Sequence, residues 1–280
     1  MLGSTVFRTL SSNSKFEVFG SLRSPLLKHY FDLEVHNALI PHIDLKDEGD
    51  LLKILRISKP DFVINCAGII KQLPIAKVHL ESILLNSLLP HRLAIHCNEI
   101  NSKLVNFSTD CVFSGNLGYY KEDDFADATD LYGRTKFLGE VSSKNCITLR
   151  TSIIGHGLNS NRSLIDWFLS QSNRVKGFTK AVFSGMPTIE IARIISEFII
   201  PNPELCGLYH LSAEPINKFE LLKLVAKIYG KDIKITPDDK VVIDRSLNSE
   251  RFHVATGFRP KGWKELIKIM HYEYLRAQRT

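Results

Sequence analysis

A continuous apolar run, Phe62-Val-Ile-Asn-Cys66, constrains the fold of this chain more than any other feature of its sequence. Runs of this kind are typical of strands that are buried on both faces of a parallel sheet. Helical patterns at about 47–57 and 83–100 flank it, and further apolar runs follow at Leu104–Phe107 and Ile147–Arg150. Because strands alternate with helices, the sequence predicts an α/β fold with a parallel sheet.

The remaining elements follow from the same reasoning. The chain opens on a helical pattern at 4–11, and we expect a second strand at Phe16–Phe19, closed by Gly20, and a short third strand at Leu39–Asp44. In the second half the pattern predicts a helix that starts near Pro187, a strand at 208–211, a helix at 218–229 ended by Gly230, and a closing helix at 263–277.

Composition excludes several classes of protein. The 280 residues are 44% hydrophobic and 24% charged, which is typical of a globular protein without disorder. A net charge of +6 suits an anionic ligand such as a nucleotide, but the basic residues are scattered rather than clustered. We therefore expect no nucleic-acid partner.

The cysteine pattern indicates a reducing compartment, and the histidine pattern bears on metal binding. The five cysteines are odd in number and widely spaced, which fits reduced thiols better than disulfides or a zinc site. The ten histidines form no HExxH or similar pattern, so we expect no metal. No signal-like leader and no apolar stretch of about 18 residues is present, so the sequence predicts a cytoplasmic protein without a membrane partner.

The candidate active site lies where the second apolar run ends. Ser108-Thr109-Asp110 should stand at the carboxyl edge of the sheet, where open α/β folds bind ligands. Tyr132 and Lys136 are four residues apart, so they share one face of a helix that follows Asp130. An ammonium one turn away would lower the pKa of the tyrosine and make it a proton donor at neutral pH. On spacing alone, a surface pair that arose by chance is about as probable as a catalytic pair.

The combination of Ser108 to Phe113, Tyr132 to Lys136 and Leu149-Arg150-Thr151-Ser152 resembles the extended short-chain dehydrogenase/reductase family, and within it the dTDP-4-dehydrorhamnose reductases. The resemblance implies a Rossmann-like doubly wound parallel sheet in an NAD(P)-binding domain at 1–150. A smaller substrate-binding lobe at 151–280 would pack closely against it, so that cofactor and substrate share one cleft. Thr109, Tyr132 and Lys136 would be the catalytic residues.

The same resemblance implies a set of cofactor-binding residues. Arg23 follows the second strand, where an arginine on the 2'-phosphate favours NADPH over NADH, although a solvated loop arginine is the alternative. The dipeptide Asp44-Leu45 resembles the dipeptide that lies on the adenine side of the cofactor in the family. Small residues in the Asn-x-Ala-Gly turn let the backbone approach ribose and diphosphate. The cofactor set is therefore Gly3, Arg23, Asp44, Leu45, Cys66, Ala67, Gly68, Tyr132 and Lys136.

The start of the chain departs from the family pattern. Relatives carry a strand and a G-x-x-G-x-x-G turn before the first helix, and Met1-Leu2-Gly3 resembles only the last three residues of that turn. We expect a truncated or mis-started reading frame, a slot in the core beside the second and fourth strands of the usual order, and weak nucleotide binding.

Substrate and reaction follow from the resemblance as well. Thr109, Asp110, Ile153 and Arg245 are the expected substrate residues, with Arg245 facing a nucleotide diphosphate. Family dehydratases carry Thr-Asp-Glu at the strand end, and Cys111 cannot replace that carboxylate. The prediction is NADPH-dependent reduction of the 4-keto group of a nucleotide-linked 4-keto-6-deoxyhexose in surface-polysaccharide biosynthesis.

Three points stay open at the level of sequence. An epimerase of the same family, or a truncated regulatory relative without catalysis, are alternative functions. Asn86 would either brace the active site, as in relatives, or be exposed. A homodimer is compatible with the sequence, which does not determine the oligomeric state.

Overall fold

The computed structural model describes residues 1–71, 73–158 and 163–278. Its first half alternates helices and strands, as predicted. The elements in chain order are α1 Leu2–Ser11, β1 Gly20–Ser21, β2 Leu39–Ile40, α2 Glu48–Ser58, β3 Phe62–Asn65, α3 His79–Ser82, a π-helix Ile83–Leu88, α4 Leu89–Glu99, β4 Lys103–Thr109, α5 Leu131–Leu138 and β5 Cys146–Thr151. Short 3-10 helices lie at 25–30, 33–38, 74–77 and 110–112.

The second half has shorter strands. Its elements are β6 Ile153–Ile154, α6 Leu164–Ser170, β7 Arg174–Phe178, β8 Ala181–Phe183, β9 Met186–Pro187, α7 Thr188–Ile194, a π-helix Ile195–Ile199, β10 Gly207–His210, β11 Ile216–Asn217, α8 Lys218–Tyr229, β12 Lys234–Asp238, β13 Ile243–Asp244, α9 Glu250–Thr256 and α10 Trp263–Ala277. The predicted bounds of α8 and α10 are confirmed. Asn217 caps the start of α8 and Gly230, at φ +66°, ends it in the left-handed conformation that glycine favours.

A four-stranded parallel sheet forms the centre, in the order β10-β5-β4-β3. Every residue of β4 and β5 is buried, because helices cover both faces and a hydrogen-bonded strand lies on either side. The expectation that the Phe62–Cys66 run is fully buried is wrong. Within the described part of the chain, β3 is an edge strand, and Phe62, Val63 and Ile64 are only partly buried.

Strands β1 and β2 form a separate parallel pair, and no strand of the described residues joins them to β3. The predicted second strand is displaced: Gly20–Ser21 pairs with Leu39–Ile40, whereas Phe16 and Val18 pack against the core without entering a ladder. A Cβ on Gly20 would lie 2.9 Å from Leu39 and 3.0 Å from Phe7 of α1. The missing side chain therefore lets α1 pack against this pair.

The second half contributes both to the central sheet and to a core of its own. Strand β10 pairs with β5 in parallel, so residues 207–210 complete the first sheet. Around β7 and β12 a second apolar core contains, among others, Ile165, Phe168, Leu221 and Val225, all fully buried. The predicted division at residue 150 stays a prediction, and it would have to accommodate a strand that returns to the sheet.

Helix α5 is fixed in place by a glycine at its carboxyl end. A Cβ on Gly139 would lie 1.9 Å from the backbone oxygen of Asn86, which belongs to the π-helix before α4. Such an approach leaves no room for any side chain. Gly139 therefore sets the distance between α5 and the helix beside it.

We expect Gly139→Ala to lower the free energy of unfolding by about 1 to 3 kcal/mol, since the added methyl must push two backbone segments apart. Chemical denaturation measures this change. Gly49→Ala on the exposed side of α2 is the control, because its Cβ would meet only the Asp47 carboxylate oxygen, at 3.1 Å, and alanine favours helix. Equal effects of the two substitutions would contradict the proposed close contact.

Candidate active site

The end of β4 presents a buried hydroxyl and a buried carboxyl group. Thr109 closes the strand, and its hydroxyl donates to Oδ1 of Asp110 at 3.1 Å. The same hydroxyl oxygen accepts the N–H of Cys111 at 3.1 Å, which starts the 3-10 turn at 110–112. Burial raises the pKa of Asp110, while Thr109, Arg245 and Lys218 oppose this shift.

Helix α5 begins directly against this strand end. Asp130 caps it by accepting the N–H of Gly133 at 3.1 Å. A Cβ on Gly133 would lie 2.3 Å from the backbone oxygen of Cys111, so only glycine allows the first turn to touch the turn after β4. This contact brings Tyr132 next to Thr109.

The phenol of Tyr132 lies among groups that disfavour its ionisation. Burial is the main cause that raises its pKa, Cys111, Asp110 and Asp130 raise it further, and a hydrogen bond with Thr109 lowers it. The expectation that Lys136 lowers this pKa is therefore wrong for the protein alone. Thr109 and Tyr132 nevertheless share one site, as predicted.

Lys136 is buried and its ammonium is already engaged. Its Nζ donates to the backbone oxygen of Phe107 at 2.6 Å. Burial lowers the pKa of Lys136 to about 8, and the charge of Glu140 opposes this shift. The lysine side chain extends to the strand, and its pKa is shifted by burial and Glu140 rather than by Tyr132, so the two residues have separate surroundings despite their spacing.

Asn86 links α5 to the turn after β3 and is buried rather than exposed. Its Oδ1 accepts the N–H of Ile69 at 2.8 Å, and its Nδ2 donates to the backbone oxygen of Ile69 at 3.1 Å and to the hydroxyl of Thr135 at 3.3 Å. The residue sits in the π-helix, a geometry frequent at functional sites. Asn86 thus braces the site, one of the two alternatives left open by the sequence.

Two pairs of predicted cofactor residues lie close together, Gly68 with Lys136 and Gly3 with Cys66. A Cβ on Gly68 would lie 4.0 Å from Nζ of Lys136, and one on Gly3 would lie 3.2 Å from Cβ of Cys66. Ala67 donates its N–H to Oδ1 of Asn65 at 3.2 Å, which shapes the turn. The start of α1, the turn after β3 and Lys136 therefore line one edge of the sheet.

The other predicted cofactor residues follow the separate β1-β2 pair. Arg23 is exposed just after β1, and Asp44 and Leu45 are partly buried after β2. The N–H of Asp44 donates to a carboxylate oxygen of Asp50 at 2.9 Å, and Leu45 packs against the core around α4. These three residues lie at the carboxyl ends of their strands, where the Rossmann pattern requires them.

On the substrate side, Arg245 reaches the turn after β4. Its Nε donates to the backbone oxygen of Phe113 at 2.8 Å and its Nη1 to Sγ of Cys111 at 3.5 Å. Ile153 lies two residues beyond the end of β5 and is partly buried. It belongs to β6, which pairs with β9. The structure therefore brings Arg245 to the strand end that carries Asp110.

Sequence reasoning missed a buried ionic network behind the site. Arg150 in β5 donates to both carboxylate oxygens of Glu140, at 2.7 and 2.8 Å, and Ser108 donates to the same carboxylate at 2.6 Å. Nη1 of Arg150 also donates to the backbone oxygen of Glu122 at 3.2 Å. An arginine inside an apolar run was the available signal, because a buried arginine needs a partner.

Comparison with known proteins identifies the family. A family model described as RmlD substrate binding domain matches residues 2–274. The chain belongs to the RmlD family. Within the described residues, this RmlD-family chain has no helix long and apolar enough to cross a membrane.

Several relatives of this RmlD-family chain act in glycan pathways, by their names. It is 31% identical to a probable low-salt glycan biosynthesis reductase, Agl14, of Haloferax volcanii, over 83% of this chain and 78% of the relative. It is 26% identical to the spore coat polysaccharide biosynthesis protein SpsK of Bacillus subtilis, over 79% of this chain and 80% of the relative.

A solved structure confirms the fold. The dTDP-4-dehydrorhamnose reductase of Bacillus anthracis, determined in complex with NADP, superimposes with a TM-score of 0.75 at 17% identity, covering 92% of this chain and 100% of that chain. The predicted family, one of NAD(P)-dependent oxidoreductases acting on sugar nucleotides, and the predicted α/β Rossmann-like fold are both confirmed.

We expect Glu140→Gln to lower the free energy of unfolding by about 3 kcal/mol, because it leaves the charge of Arg150 buried without its counterion. Urea denaturation followed by circular dichroism measures the loss. The control is Glu220→Gln in the exposed pair with Lys223, where we expect a change within about 0.5 kcal/mol. Similar small losses in both variants would show that the Arg150–Glu140 pair does not anchor α5.

Proposed function

We propose that this protein reduces the 4-keto group of a nucleotide-linked 4-keto-6-deoxyhexose with NADPH, in the biosynthesis of surface-polysaccharide sugars. The observation that carries the proposal is the meeting of Thr109 and Tyr132 at the end of β4, with Lys136 beside the Gly68 turn. The names of its relatives support the pathway, since they include a glycan biosynthesis reductase and a dTDP-4-dehydrorhamnose reductase of Salmonella typhimurium.

The residues present fit a dinucleotide. A Cβ on Gly68 would lie 3.1 Å from Oδ1 of Asn86 and 4.0 Å from Nζ of Lys136, so the glycine lets the turn lie close to both side chains, and the start of α1 lies against Cys66. A helix start next to a small-residue turn suits a diphosphate, and a buried ammonium suits ribose hydroxyls. When bound, NADPH supplies the hydride for carbonyl reduction.

Each catalytic residue has a distinct role in the proposal. Thr109 holds the substrate carbonyl oxygen, and Tyr132 donates a proton to it. The raised pKa of Tyr132 keeps the phenol protonated at neutral pH, so the proton is available before the reaction. Lys136 holds the nicotinamide ribose through its ammonium group.

We expect Tyr132→Phe to abolish turnover while the affinity for NADPH changes little, because the substitution removes only the donated proton. NADPH oxidation with dTDP- and UDP-linked 4-keto sugars measures turnover, and fluorescence titration measures NADPH binding. Tyr272→Phe, at an exposed position of α10, is the control and should keep full activity. Normal turnover by Tyr132→Phe would refute the assignment of the proton donor.

We expect Arg23→Ala to weaken NADPH binding roughly tenfold or more and to leave NADH binding unchanged, because only NADPH offers a 2'-phosphate to the exposed guanidinium. Titration of both cofactors measures the ratio of affinities. Arg56→Ala, another exposed arginine, should change neither. An equal loss for the two cofactors would show that Arg23 does not read the phosphate.

A second candidate is a regulatory relative without catalysis. The separation of β1-β2 from β3 favours it, since the sheet that should hold the dinucleotide is in two parts. The chain is also 24% identical, over 68% of its length, to the methionine adenosyltransferase 2 subunit beta of Xenopus tropicalis, of which it covers 60%. Consumption of added NADPH separates the reductase from this candidate and from an epimerase. A homodimer stays a prediction.

A further inference from the structure

Lys218 is a cation that the described structure leaves without a hydrogen-bond acceptor. It begins α8 directly after the Asn217 cap, and it is partly buried. Its Nζ lies 3.8 Å from the centre of the Phe183 ring, which β8 holds opposite Ile216 of β11. Among the described residues, no hydrogen bond or ion pair to this ammonium accompanies the ring contact.

The position of Lys218 is electrostatically unfavourable in the protein alone. The start of a helix carries partial positive charge, which disfavours a cation in the first turn. Burial lowers the pKa of Lys218 to about 8, while Asp110 and Cys111 oppose this shift. Burying an ammonium group whose hydrogen-bond donors are unused costs free energy. A ligand that supplied the acceptor would offset this cost and explain a lysine at this position.

The ionisable groups near Lys218 are those at the carboxyl end of β4. Asp110 lies close enough to both Lys218 and Arg245 for each to lower its pKa. Cys111 is neutral, because burial and Asp110 raise its pKa to about 12. Two cations therefore face the buried Asp110 carboxyl group, and Arg245 also lies within reach of the carboxylates of Asp127 and Asp130.

Arg245 also retains donors for a ligand. Its Nε and Nη1 bind Phe113 and Cys111, whereas a guanidinium has five N–H donors in all. Lys218 and Arg245 come from opposite sides of the small sheet, since β11 and β13 both pair with β8. Two cations arranged in this way suit one multiply charged anion.

We propose that Lys218 is a substrate-binding residue which, together with Arg245, holds the diphosphate of the nucleotide-linked sugar. This inference rests on the proposed function. It adds a residue on the substrate side that is independent of Lys136, whose ammonium binds Phe107 on the cofactor side.

The test measures binding of dTDP, UDP and inorganic pyrophosphate to the full chain by isothermal titration calorimetry. We expect Lys218→Met to weaken binding of each probe roughly 10- to 100-fold, because a charge-assisted hydrogen bond to the diphosphate is lost. Lys218→Arg should retain most of the affinity. Lys223→Met, on the exposed side of the same helix, is the matched control and should bind as the unmodified protein does.

The pH dependence gives a second readout. An anion binds the charged form of Lys218, whose pKa is lowered, so above pH 8 the affinity should fall towards the level of Lys218→Met. Arginine stays charged, so Lys218→Arg should bind with a flatter profile, and Lys218→Met should also lack this component. The other titratable or charged groups of the site are the same in all variants: Lys136, Asp110, Cys111 and Arg245. Their contribution to the pH dependence therefore cancels when the variants are compared with one another.

The outcomes separate the two proposals. Binding by the unmodified protein, with loss in Lys218→Met and rescue in Lys218→Arg, supports the role of Lys218. Equal binding by the unmodified protein and Lys218→Met, at equal thermal stability, overturns this role and leaves the reductase proposal standing. Absence of dTDP and UDP binding by the unmodified protein overturns both.

Discussion

The buried ion pair between Arg150 and Glu140 is the interaction on which the site geometry depends. Glu140 follows the carboxyl end of α5, and Arg150 lies in the middle of the central sheet. Ser108 joins the same carboxylate one residue before Thr109. The helix that carries Tyr132 is thereby fixed at its far end to the two strands that border the site. A buried pair is expensive to desolvate, and here it gives a defined position to α5.

Much of the architecture could be predicted, because local patterns and tertiary structure agree. The apolar runs of β4 and β5, the capped helix α8 and the spacing of Tyr132 and Lys136 each indicate their element without knowledge of their neighbours. The resemblance at the strand end indicated the family in the same way.

The remaining features depend on contacts between distant residues. The sign of the pKa shift of Tyr132 follows from burial and from where Lys136 points, and sequence spacing reports neither. The exposure of β3 depends on whether another strand pairs with it, which its own apolar residues do not reveal. Lys218 looked like an ordinary first residue of a helix until the fold brought it to Asp110.

The described part of the sheet is in two separately hydrogen-bonded pieces, and this has a consequence for ligand affinity. Arg23 and Asp44 follow one piece, whereas Gly68 and Lys136 belong to the other, and α1 contacts both through Phe7 and Gly3. Among the residues that the structure describes, no interstrand hydrogen bond resists a change in the spacing of the two pieces. A dinucleotide spanning them would act as a tether, so part of its binding energy would appear as increased rigidity and a higher melting temperature of the protein.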